Sequence, residues 1–190
     1  MSQTDFDIIQ KRVLDKLQAL DPSLTYHSIA HTLDVVTQVT RIGNDEGVNH
    51  KELYLLRIAA LYHDSGFLRI YNGHEEKGCE IFVEDAHDFQ FTEGEMRIIS
   101  ELIMATKMPQ EPKNLLQKII CDADLDYLGR SDYDEIADKL KREFLSYKII
   151  PDEPAWRGVQ LNFLQHHRYH THSSRLLRQP VKEAHIKNLS

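Results

Sequence analysis

In nearly every stretch between its turn signals, this chain places apolar residues at spacings of three and four. Phe6, Ile9, Val13, Leu14, Leu17 and Leu20 form one stripe, which Asp21-Pro22 terminates. Ile29, Leu33, Val36, Val39 and Thr40 predict a second helix over about 26–44, with Gly47 beyond its end. Leu53, Leu56, Ala60 and Leu61 predict a third over 50–64, stopped by Gly66. Ile81 and Phe82 lie in a fourth, 75–86, and Thr92 with Glu95 reads as a capping box for a helix through Met104. Pro109 and Pro112 bound a loop before a helix over 113–128, and Ser131 with Asp134 opens a charged helix that ends near Tyr147. Pro151 and Pro154 precede a helix over 156–169, and a polar segment follows. No alternating run is long enough for a sheet, and there is no repeat or low-complexity tract. The expected fold is all-α: a single-domain bundle of about seven to eight helices over residues 1–165. A polar helical extension, 166–190, is expected to pack on or near the site.

A chain of 190 residues suits one continuous core, and 41% hydrophobic with 28% charged residues is an ordinary globular balance. The net charge of -7 argues against a nucleic-acid polymer as partner, because phosphate-backbone binders present a surplus of Lys and Arg. One small phosphate ester needs only a local basic patch. The amino-terminal MSQTDFDIIQKRVLDKL has neither a basic start nor an apolar run, so it does not read as a secretory signal. No window approaches the roughly 18 apolar residues of a membrane span, so no membrane partner is expected. Cys79 and Cys121 sit in helical segments and suggest no disulfide framework, which fits a reduced cytoplasmic setting.

The chain has eleven histidines, and their placement matters more than their number. His63 and Asp64 end the apolar helix IAALYHDSGF, a costly place for a polar pair without partners. Alone, the pair reads as a helix-terminal histidine beside a capping acid, and His31 as one more histidine on an amphipathic helix. In IICDADLDYLG, Asp122, Asp124 and Asp126 crowd like charges at spacing two around an apolar helix, so the inward one needs an offset that a divalent cation would supply. Together His31, His63, Asp64 and Asp124 offer two imidazoles and two carboxylates from three helices. That mixed set suits Mn²⁺, Fe²⁺, Co²⁺, Ni²⁺, Zn²⁺ or Mg²⁺ rather than a thiolate-bound structural zinc. Such an ion can polarise a phosphoryl oxygen and lower the pKa of water to about 7.

The order His, His-Asp, Asp resembles the HD-domain superfamily of metal-dependent phosphohydrolases. YHSIAHTLDVV, AALYHDSGF and DADLDYLG look like its successive motifs. The resemblance implies an HD-type helical fold and metal ligation by His31, His63, Asp64 and Asp124, the Asp after the alanine of DAD being the family's ligand. It implies one tightly held divalent ion and a small-molecule phosphate ester as substrate, a mono- or cyclic diester of a nucleotide or related metabolite. YHSIAH also resembles the YHNxxHA motif of cyclic-nucleotide phosphodiesterases, with Ser28 in place of Asn. In that motif the first histidine protonates the leaving oxygen, so His27 becomes a candidate acid beside Asp64. The spacing i, i+4 would put His27 and His31 on one helical face, although a capping or surface role explains His27 equally well.

His74, in NGHEEKG, resembles the His-Glu that many HD proteins turn toward substrate or a second metal, and it is a third catalytic candidate. Glu75 is as readily an acid favoured by the helix dipole. His74 and His87 are poorly spaced for a full binuclear site. In FLQHHRYHTHSSRLLRQPVK, His166 and His170 could share a helical face, while Arg168, Arg175 and Arg178 could reach a phosphate from a segment folded over the mouth of the site. Arg130 is a similar candidate, and Arg130 and Arg175 are the substrate-binding residues expected here. Two rivals share the fold. A non-hydrolytic nucleotide- or metal-binding regulatory module would be expected to lack a ligand, and an HD oxygenase needs more ligands for its di-iron site than the chain offers.

Overall fold

The first stripe folds as α1 (Gln3–Leu17), which buries Phe6, Ile9, Val13 and Leu17. The structure, a computed structural model, describes residues 3–190, with side chains from Asp5 onward; Met1 and Ser2, where the segment read for a leader begins, lie outside the described residues. Every described element is helical. Among the described residues nine α-helices and two short 3₁₀ turns run in order, more than the seven to eight expected for the bundle, the ninth being the carboxyl-terminal extension.

Helix α2 (Ile29–Asp45) begins later than expected. Ser28 is extended (φ -141°, ψ 170°) and caps the helix by accepting from His31 N, so Tyr26 and His27 lie in the preceding turn. Helix α3 (His50–Tyr62) starts with a capping box between Asn49 and Glu52. The chain then passes through Asp64 (φ -102°, ψ 1°) into a 3₁₀ turn, Ser65–Leu68. Gly66 does not stop α3; it sits inside that turn, where a Cβ would lie 1.8 Å from the His74 carbonyl oxygen. The glycine lets α4 (His74–Ala86) settle directly on the turn. Helix α5 (Glu93–Ala105) has the expected Thr92–Glu95 capping box.

Helix α6 (Leu115–Asp124) is shorter than the single helix expected over 113–128. Leu125 (φ -106°, ψ 19°) breaks it, and a second 3₁₀ turn, Asp126–Gly129, follows. Helices α3 and α6 therefore both end within a residue or two of their candidate ligands. Helix α7 (Tyr133–Ser146) starts two residues past Ser131: Asp132 precedes it, with its carboxylate taken by Arg130 at 2.9 and 2.7 Å. Helix α8 (Glu153–His166) starts earlier than expected because Asp152 caps it and Pro154 fits the first turn. It ends at His166, so His166 and His170 share no helical face. Helix α9 (His172–Leu189) is capped by Thr171.

Two apolar clusters meet at the site. The larger joins α1 to α6 through residues such as Val35, Val39, Leu56, Ile58, Ile99, Ile103 and Ile119. Truncating one such core side chain costs about 2–5 kcal/mol. The smaller cluster gathers Tyr26, Tyr127, Leu128, Tyr133, Trp156 and Leu164 from the second 3₁₀ turn, α7 and α8. Two of the three crowded aspartates fasten α9 across the second turn. Buried Asp122 accepts from the backbone N–H groups of His170 and Thr171, both at 2.8 Å, and from the Thr171 hydroxyl. Buried Asp126 receives Arg41 at 2.8 Å and Arg178 at 2.9 Å. No described helix is long and apolar enough to cross a membrane.

Candidate metal centre

Asp124 is the aspartate left over, and α6 ends so as to aim it at His31 of α2 and at His63, the residue closing α3. The Nε2 atoms of His31 and His63 lie 3.3 Å apart. Asp124 Oδ1 is 3.2 Å from His31 Nε2 and 3.6 Å from His63 Nε2. Asp64 Oδ2 is 3.4 and 3.2 Å from the same two nitrogens. Donor atoms about 2.1 Å from a common ion stand about 3.0 Å apart when adjacent in an octahedron and about 3.4 Å apart in a tetrahedron. Four of the five observed separations fall in that range, and the fifth, Asp124 to His63 at 3.6 Å, is just outside it. His31, His63 and Asp124 offer donor atoms that all lie within 4.8 Å of one another, and Asp64 borders the same imidazole pair.

Local chemistry favours a cation here. Asp64 Oδ2 is buried and has no hydrogen-bond partner, a costly state that an ion would relieve. His63 Nδ1–H donates to the Ala60 carbonyl at 2.8 Å, which fixes its tautomer and turns the Nε2 lone pair to the cluster. Gln110 donates to Asp124 Oδ2 at 3.2 Å and so orients that carboxylate. Burial opposes ionisation of Asp64, but charge on His63 and His27 outweighs it and holds the carboxyl far below its ordinary range. Burial works against an imidazolium at His63 too, yet Asp64 and Asp124 raise its pKa strongly. Both shifts express two buried carboxylates calling for positive charge. The residues present fit a divalent metal ion.

His27 and His74 border the same space but not the cluster itself. Both line a cavity that also exposes Asp64 and Asp124. His27 is not on α2, so the helical-face geometry expected for it does not hold; its ring centroid still lies 6.1 Å from that of His31. Its Nδ1 makes a very short hydrogen bond to Glu143 of α7, leaving Nε2 for the cavity. Against its burial, Asp64 and Glu143 raise the pKa of His27. Phe67 stacks on both histidines, at 4.2 Å on His27 and at 3.8 Å on His74, whose own ring centroids are 6.0 Å apart. His74 Nδ1–H donates to the Tyr71 carbonyl at 3.0 Å, and its Nε2 stands 3.6 Å from Asp64 Oδ1. Buried Glu75 also lines the cavity.

The expected phosphate-binding arginines are placed elsewhere. Arg130 is clamped by Asp34 at 2.7 Å and Asp132 at 2.7 Å; it does not line this cavity but a neighbouring one that His31 also borders. Arg175 is exposed on α9, also away from that lining, and Arg178 is committed to Asp126. His87 and His166 are exposed. Glu143 was not among the sequence candidates, although it is fully buried and accepts from Tyr26 N at 2.9 Å, His27 N at 3.1 Å, His27 Nδ1 and the Tyr71 hydroxyl at 2.9 Å. A signal existed: Ile136, Leu140 and Glu143 follow the inward spacing of α7, and an acid on such a face needs buried donors.

The HD domain family matches residues 28–126, just over half of the chain, and the match carries all four candidate ligands. The chain belongs to the HD domain family. Members of this family are commonly metal-dependent hydrolases, and their divalent metal is consistent with the cluster at His31, His63 and Asp124. No curated protein and no solved structure matches the chain.

Proposed function

We propose that this HD domain hydrolyses a phosphate ester of a small molecule. The observation that carries the proposal is the convergence of His31, His63, Asp64 and Asp124 at ion-ligand spacing, with a buried Asp64 oxygen lacking any other partner. These four residues would hold a divalent ion, which when bound supplies Lewis acidity toward a phosphoryl oxygen and activates water for attack at neutral pH.

The chain's own groups do the rest. Asp64 offers Oδ1 toward the cavity side, where it orients the attacking water, and His74 steadies that oxygen from 3.6 Å. As the phosphorus–oxygen bond of the ester breaks, His27 delivers a proton from Nε2 to the departing oxygen. Glu143 keeps the ring in the orientation and tautomer that this transfer needs, as a positioning residue. Phe67 packs on both imidazole rings and helps fix their positions.

The test is metal analysis of the purified protein, followed by phosphate release across nucleotide and non-nucleotide esters with Mn²⁺, Co²⁺, Ni²⁺, Zn²⁺ and Mg²⁺. Stoichiometric metal with release from at least one ester supports the reading. Stoichiometric metal without turnover of any ester would replace it by the regulatory binding module.

A further inference from the structure

The cavity that meets the candidate metal centre has two unlike ends. At one end are Asp64, Asp124, His27 and His74. The other reaches between the second 3₁₀ turn, α7 and α8, where Leu128, Leu140, Phe144, Trp156, Phe163 and Leu164 form the wall. The whole cavity, both ends together, has a volume of about 180 Å³. An apolar cavity of about 150 Å³ with similar walls stays dry and takes up benzene. The apolar end is a part of that volume and therefore has room for no more than about one small ring or a short branched chain.

Charge narrows the occupant further. Among the described residues, no Lys or Arg lines the cavity, whereas three carboxylates do: Asp64, Glu75 and Asp124. The nearby guanidinium groups of Arg41, Arg130 and Arg178 are already paired with Asp126, Asp34 and Asp132. A diphosphate or triphosphate chain would meet these carboxylates with no Lys or Arg to offset its added charge. The hydroxyls of a ribose and the edge of a base would press against apolar walls. The one amide there, Gln160, is already engaged with the Tyr133 hydroxyl at 3.1 Å.

We infer that the substrate carries a single phosphoryl group on a small apolar alcohol or phenol, with the organic part seated in this chamber. The inference rests on the hydrolytic reading for the phosphoryl end and on the chamber for the organic end. Water adds to phosphorus, the ester oxygen leaves with one proton, and inorganic phosphate and the free alcohol result.

Binding can be measured apart from turnover with phosphonates, whose carbon–phosphorus bond resists hydrolysis. Trp156, the only tryptophan of the chain, lies in the chamber wall and reports occupancy by its fluorescence. Phenylphosphonate added to the metal-loaded protein should bind at least tenfold more tightly than methylphosphonate or adenosine 5′-monophosphate, and should change Trp156 emission. Ala137→Leu, which fills the chamber from α7, should cut the phenyl-to-methyl preference at least fivefold. Should that variant fail to fold by circular dichroism, Leu140→Ala enlarges the same space and should shift preference toward a naphthyl ring. Tighter binding of the nucleotide, or a phenyl preference indifferent to both variants, overturns the inference even if some ester is hydrolysed. Phenylphosphonate binding as expected, with no release from phenyl phosphate under any metal, keeps the chamber assignment and removes the hydrolytic reading instead.

Discussion

Glu143 offers the sharpest test of how the site works, because it touches no candidate ligand. Its carboxylate accepts four hydrogen bonds: two backbone N–H groups before α2, the His27 ring and the Tyr71 hydroxyl. Removing it in Glu143→Ala leaves those donors without a partner. At about 1–3 kcal/mol for each buried donor, partly relieved by water, the loss is on the order of 4 kcal/mol. Against a total stability of about 5–15 kcal/mol, that variant is close to unfolding and says little about catalysis. Glu143→Gln is more useful. It keeps the shape and one acceptor oxygen for the two backbone groups, at a cost of about 1–2 kcal/mol, or roughly 2–8 °C in Tm. Its amide now faces His27 Nδ1, so the ring loses the negative charge that raises its pKa and no longer has an acceptor for an Nδ1 proton.

The consequence depends on the leaving group. An ester of an ordinary alcohol needs a proton on its departing oxygen, and a general acid contributes about 10²–10⁴-fold. Glu143→Gln should therefore lower kcat on an alkyl or benzyl phosphate by about 10²-fold. A p-nitrophenyl ester, whose phenolate departs unaided, should lose less than about tenfold. Metal content should be unchanged in both cases. The double variant with His27→Ala should be no slower than His27→Ala alone, since both act on one proton. Equal losses on the two esters, or losses that multiply in the double variant, would mean that Glu143 only supports the fold and His27 is not the acid.

Three further outcomes follow from the same geometry. Asp64→Asn should keep the helical circular dichroism spectrum but bind metal at least about tenfold more weakly and lose on the order of 10² in phosphate release, read on one preparation; full activity in the folded variant would remove Asp64 from the site. Gly66→Ala puts a Cβ 1.8 Å from the His74 carbonyl and 2.7 Å from Gly78 N, both backbone atoms, so α4 must shift; a loss of about 3 kcal/mol or more is expected by denaturant titration, together with lower activity through His74. His167 has a buried Nε2 without a partner, and burial beside Lys182 lowers its pKa to about 3. Its folded pKa lies below the unfolded value of about 6.5, so this contribution is fully present above pH 6.5 and fades as the pH falls toward 3. Urea titrations at pH 7 and pH 5 should differ by about 2 kcal/mol from this group, a difference that His167→Phe should abolish.

Much of this fold was legible because helical periodicity reports burial directly. The stripe of α1, the Thr92–Glu95 box of α5 and the inward face of α3 all follow from spacing and capping chemistry. Helix ends at the site were read less well. Both α3 and α6 stop early, and neither stop is made by a glycine: the breaks fall at Asp64 and Leu125, whose backbone angles are set by the tertiary arrangement. Gly66 is glycine because another helix rests on it, a relation that spacing along one helix cannot reveal. Glu143 escaped notice for a similar reason, since its partners lie 72 to 117 residues away in the chain.

The run Asp122-Ala-Asp124-Leu-Asp126 shows where a local electrostatic argument ends and a tertiary one begins. Three acids at spacing two do demand compensation, and a cation is one answer to all of them. The structure gives three different answers. Asp122 is met by backbone N–H groups ahead of α9, Asp126 by Arg41 and Arg178, and only Asp124 turns to the imidazoles. The division has a physical logic. Hydrogen bonds and arginines fix the two outer aspartates, and with them the end of α6 and the seating of α9, which leaves the middle carboxylate held from both sides. A ligand aimed by its neighbours loses little conformational entropy when it meets an ion. The polar carboxyl-terminal segment is thus tied to the end of α6 through the residues on either side of a candidate ligand.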